Sequence, residues 1–179
     1  MELVEDFGMA KFRRLFVAAI GALGLVGGAA VGVSAHEGGT LVEFDSMTGV
    51  SAAVAQAQLP NDRGIKPGGA PWVITSGSGE VDRHGHLSVR VTGLIIPTLT
   101  PPHNPVANFS ATVSCITPGG VVNVTTGPFP ANAAGDSTLK ATVVLPHRCK
   151  HPEVFVGLTR PNGAFVWFAQ SSIEDEEQD

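Results

Sequence analysis

The stretch Ala107–Cys115, ANFSATVSC, decides the fold. Its odd positions, Ala107, Phe109, Ala111, Val113 and Cys115, are small or apolar, and its even positions, Asn108, Ser110, Thr112 and Ser114, are polar. A period of two is the signature of a half-buried strand, and it points Cys115 into a core. The same rhythm recurs outward in both directions. Leu87, Val89 and Val91 alternate with Ser88, Arg90 and Thr92, and Leu139, Ala141, Val143 and Leu145 alternate with Thr138, Lys140 and Thr142. Val122 and Val124 flank Asn123, Val154, Val156 and Leu158 form a further set, and Trp72-Val73-Ile74-Thr75 opens the series. Phe165-Val166-Trp167-Phe168 is apolar on both faces, which predicts a central or doubly covered strand.

Turn chemistry separates these runs: Ser76-Gly77-Ser78-Gly79, Arg83-His84-Gly85, Pro118-Gly119-Gly120, Asn132–Gly135 and Pro161-Asn162-Gly163. The proline-rich segment Pro97–Pro105 excludes central pairing and is expected to cross between sheets. No segment after residue 35 sustains a 3.6-residue period. The expected fold is an all-β antiparallel sandwich of about seven or eight strands over 72–170, immunoglobulin-like or jelly-roll-like. No Trp lies between Cys115 and Cys149, which disfavours the antibody-type subclass. Thr40–Phe44 could add a strand and Ser51–Leu59 a short helix. Residues 36–71 read as an irregular arm packed on the sandwich, because so short a piece buries too little surface to stand alone.

Residues 1–35 read as an export segment. Lys11, Arg13 and Arg14 precede an uncharged apolar run, Leu15–Val33, and Val33-Ser34-Ala35 ends it with small residues before His36. A positive region, an apolar region and an A-x-A-like end make a secretory signal peptide cleaved between Ala35 and His36. Glu2, Glu5 and Asp6 are out of place there, so residues 1–8 read as an N-terminal extension or an early start. The alternative is a membrane anchor, if residues 15–33 are retained; Gly24, Gly28 and Gly32 even form a small-xxx-small repeat. The protein is therefore expected to be secreted, in or beyond the cell envelope.

The chain has 179 residues, 43% hydrophobic and 15% charged, with a net charge of −5. One domain is the length expectation, and the absence of a basic balance argues against nucleic acid as a partner. The net negative charge belongs to 171–179, SSIEDEEQD, since 36–170 holds eight acids and eight bases; the segment reads as a solvated acidic tail. Cys115 and Cys149 are the only cysteines. An even count outside the cytoplasm favours a disulfide, the alternatives being two buried thiols or a metal site with His147 and His151 in HRCKH.

Several stretches carry a resemblance: EFDSMTGV (43–50), GIKPGGAPWVITSGSGE (64–80), HLSVRVTGL (86–94), NFSATVSC (108–115), VVNVTTGPFP (121–130), GDSTLKATVVLPHRC (135–149) and GAFVWFA (163–169). Together they resemble a group of uncharacterised small secreted bacterial β-rich proteins with two cysteines. The resemblance implies export, a β-rich domain and paired cysteines at 115 and 149, and it implies no activity or cofactor.

For chemistry, Asp82, His84 and His86 alternate, and imidazole pairs bind transition metals. They are the weak metal candidates; two histidines alone fall short of a ligand set, and Gly85 between them makes an exposed hairpin tip the plainer reading. There is no serine elbow, H-E-x-x-H, phosphate-cradling loop or dinucleotide fingerprint. Glu80 and Asp82 share a face if extended, yet a charged hairpin rim is the commoner meaning of such a pair. Asn108 and Asn123 sit in glycosylation-type triplets and read as outward strand positions. Aromatics at 165, 167 and 168 offer a sugar platform or, more simply, core. The sequence thus favours a non-catalytic secreted module that binds a protein or glycan surface partner through loops such as 97–105 and 127–135. The competing reading is a metal-dependent or hydrolytic extracellular enzyme built on the Asp82/His84/His86 hairpin.

Overall fold

A computed structural model describes residues 39–172. The expected export segment, its expected cleavage between Ala35 and His36, the expected extension 1–8 and the acids of the tail lie outside the described residues. Among the described residues, eleven strands and one short helix follow in the order β1 (Thr40–Phe44), β2 (Met47–Gly49), α1 (Ala52–Ala57), β3 (Lys66–Pro67), β4 (Ser76–Asp82), β5 (His86–Thr92), β6 (Asn108–Thr117), β7 (Gly120–Thr125), β8 (Phe129–Pro130), β9 (Ser137–Thr142), β10 (Lys150–Thr159) and β11 (Phe165–Ser171). They form a β-sandwich. One sheet has the order β1-β4-β5-β9; the other has β2-β11-β10-β6-β7, with β3 beside β11 and β8 beside β6. Every pairing is antiparallel except the two-residue β3–β11 contact.

The period-two runs become the facing layers. Phe109, Ala111, Val113 and Cys115 of β6 meet Leu87, Val89 and Val91 of β5 and Leu139 of β9 in one buried core. Trp72 stacks on Phe168 with ring centroids 3.9 Å apart, and Phe109 meets both rings edge-on. The aromatic run in β11 is core and no sugar platform: Val166, Trp167, Phe168 and Ala169 are all buried, with Phe165 half-buried. The Pro97–Pro105 loop crosses from β5 in the smaller sheet to β6 in the larger, as its prolines predict. Cys115 and Cys149 form a disulfide that closes a separation of 34 residues.

Four expectations need correcting. Ser76–Gly79 is no turn but the first half of β4. Its inward positions are Gly77 and Gly79, followed by the fully buried Val81, so the alternation exists but glycine conceals it. Space explains the glycines. A methyl at Gly77 would stand 2.6 Å from Met47 Cγ of the opposite sheet, and one at Gly79 would stand 2.9 Å from the Phe44 ring. Trp72–Thr75, in turn, is not a strand; it holds a single bridge, Val73 to Ile95, while Trp72 is an anchor of the core. The arm expected over 36–71 is woven into both sheets, β1 pairing with β4, β2 and β3 with β11. The longest stretch of the arm off the strands is α1, capped by the Ser51 hydroxyl, with the loop after it. Finally, β11 runs through Ser171, and the Ser172 N–H donates to the Ser46 carbonyl, so ordered pairing enters the segment read as tail.

Candidate functional site: the outer face of the four-stranded sheet

The β4–β5 hairpin places Asp82 and His86 opposite one another. Its three-residue loop, Arg83–Gly85, needs a left-handed residue, and Gly85 supplies it at φ +85°. Gly85 also accepts from Val143 N–H, so a side chain there would strike the Val143 carbonyl. Asp82 Oδ1 accepts the backbone N–H groups of His84 (2.8 Å) and His86 (2.9 Å), while Oδ2 lies 2.7 Å from His86 Nδ1. Removal from water opposes the charge on Asp82. The His86 ring bond, the two amides and the His86 charge outweigh that, and the carboxyl is held down at about 2.

This carboxylate thus clamps a turn. Of the three candidates, the fold brings Asp82 and His86 into contact but leaves His84 to one side, its ring centroid 6.2 Å from that of His86. Among the described residues no third His, Cys, Asp or Glu completes a metal-holding group with them. The HRCKH alternative dissolves differently: Cys149 is bonded to Cys115, and His147 and His151 are exposed.

What the sequence did not single out is the surface around the hairpin. The outer face of the small sheet forms a trough of about 610 Å³, whose lining includes Thr40, Glu80, Asp82, His86, Ser88, Lys140 and Thr142. Strand register builds it. Glu80, Ser88 and Lys140 stand side by side on β4, β5 and β9, and Asp82, His86 and Thr142 form the next row. A register shift between Thr40 and Val42 bends β1 at the same end. A smaller hollow of about 270 Å³ continues along Arg90, Thr92, Asp136 and Thr138. There Asp136 is held below its ordinary value by the Asn132 amide and then by the Gly93 N–H. The sequence pairs Glu80 with Asp82 as a charged rim but gives no signal for Lys140, because the Glu80–Ser88–Lys140 row exists only once β4, β5 and β9 are in register.

The loops expected to recognise a partner share one end of the sandwich. Asn104, 5% exposed, ties them together. Its amide donates to the carbonyls of Val106 and Asn132, its Oδ1 accepts from Val106 N–H, and its own N–H donates to the Ala133 carbonyl.

A second polar locus lies on the outside of the larger sheet. Arg63, 6% exposed, lies over the row Asn123–Ser114–Glu153, with Nε 2.9 Å from Glu153 Oε2. Arg63 Nη2 donates to the His151 carbonyl, and Asn123 Nδ2 donates to the Arg63 carbonyl. Burial pushes the Glu153 carboxyl up, and the Arg63 charge offsets this only in part. Asn123, read as an outward position, is therefore engaged in holding this loop; Asn108 stands exposed.

No family profile, curated protein or solved structure matches the chain. Among the described residues no helix is long and apolar enough to cross a membrane.

Proposed function

We propose that the chain is a secreted, non-catalytic recognition module that binds an extracellular or cell-envelope partner on the outer face of its four-stranded sheet. The observation that carries this reading is the trough: a concavity within the usual size range of ligand sites, whose mixed lining combines hydroxyls and charges of both signs with Val81, Leu87 and Ala141. A rigid, disulfide-bonded sandwich presents it, and a fixed scaffold lowers the ordering cost of binding. The resemblance to small secreted bacterial proteins and the export segment support the location. The competing enzyme reading would recruit the Asp82–His86 pair as an oriented base. Against it stands the second role of Asp82, whose other oxygen is occupied by two turn amides.

The native intact mass of protein recovered from an exporting bacterial host tests the reading. The expected species is residues 36–179, two hydrogens light and without adduct. A retained metal ion would overturn the non-catalytic reading and direct mutation to His84 and His86; retention of residues 15–33 would replace secretion by anchoring.

A further inference from the structure

We infer that the trough binds a short peptide zwitterion, with its ammonium group at Glu80 and its carboxylate at Lys140. This inference rests on the recognition reading above and names the ligand of that same face. Three features support it. First, the face is polarised across the strands. Glu43 on β1 lies directly opposite Glu80 on β4, while Lys140 and Arg90 lie on β9 and β5. Like charges directly opposite one another destabilise a sheet, and a cation seated on them removes that cost. Among the described residues neither Glu80 nor Lys140 belongs to an ion pair. Arg90 is partly answered by Asp136 nearby, so Lys140 is the freer cation.

Second, the spacing suits a peptide. Glu80 and Lys140 are in one row with a single strand between them, two strand spacings or about 10 Å apart. Three extended residues span about 10 Å. Third, the lining suits amides better than sugar rings. Ser88, Thr40 and Thr142 offer hydroxyls to peptide N–H and C=O groups, and no Phe or Trp lines the trough for stacking.

The test is an NMR titration of the exported full-length mature protein with triglycine, its N-acetyl form, its C-terminal amide and a neutral trisaccharide. Triglycine is expected to shift the amides of Ser88, Lys140 and Thr142. Blocking either end should weaken binding roughly tenfold, the scale of one lost charge-assisted contact. Glu80→Gln should abolish the penalty for acetylation alone, and Lys140→Gln the penalty for amidation alone, a pairing that a mere fold defect would not produce. Equal shifts by all three peptides, or shifts by the trisaccharide only, would overturn the zwitterion and leave the face as a recognition surface. No shift on this face by any probe would overturn both readings.

Discussion

The two sheets meet solvent in opposite ways. In β5 the residues alternate, Leu87, Val89 and Val91 buried against exposed or half-exposed His86, Ser88, Arg90 and Thr92. In β6 every residue from Phe109 to Cys115 is buried, the polar Ser110, Thr112 and Ser114 included. The sequence patterns of the two strands are nearly identical. A period of two specifies which face turns to the core; it is silent about whether the other face will be covered. The loop carrying Arg63 covers the Ser114 row of the large sheet, whereas the outer row of β5 in the small one stays exposed or half-exposed among the described residues.

The sharpest way to break this comparison is at the shared core. Phe109→Ala is expected to cost about 3–5 kcal/mol, since Phe109 is fully buried between the sheets and contacts both Trp72 and Phe168; urea unfolding measures it. Replacing Cys115 and Cys149 by alanine should cost roughly 3–4 kcal/mol, the chain-entropy value for this loop. A loss near zero in the same urea titration would show that the β6–β10 end is held by packing alone.

Arg63→Ala tests the covering of the large sheet. It leaves Glu153 without its ion pair, at a cost of about 2–3 kcal/mol, below the fully buried range because Glu153 retains some exposure. Hydrogen exchange should then rise at Ser114 and Glu153 while β5 keeps its protection; a uniform rise would mean that the covering loop is not specific to that sheet.

Acid separates the two sheets by sign. Asp82 titrates at about 2 in the fold against 3.8 free, so it contributes stability above pH 4 that is lost as the pH falls towards 2. Glu153 is shifted upward, so just above its free value of 4.5 a falling pH favours the fold. Melting temperature against pH should therefore lose part of its acid limb in Asp82→Asn; an unchanged limb would remove the hairpin clamp from the account. The smallest effect belongs to the trough. Glu80→Gln should alter stability by about 0.5 kcal/mol or less, in keeping with an exposed residue whose role is not structural.

Much of the architecture was legible because burial on one face leaves a periodic trace. The alternation of β5 and β6, the Gly85 turn, the proline-rich crossover and the cysteine pair all carried local signals. Three things were not. Strand β4 turns glycines inward, so its alternation has no side chains to display it. Arg63 and Glu153 are brought together only by tertiary packing. The trough depends on Glu80, Ser88 and Lys140 lining up across three strands, while the sequence drew attention to the adjacent Asp82 and His86, whose pattern is local.

Asn104 has a consequence for anyone altering the loops. Because one buried amide fastens both the 97–105 segment and the Asn132–Gly135 turn, the two are mechanically a single end-piece. Substitutions in one loop will not add simply to substitutions in the other. Diversifying either alone would retune both, and releasing Asn104 would let each vary independently.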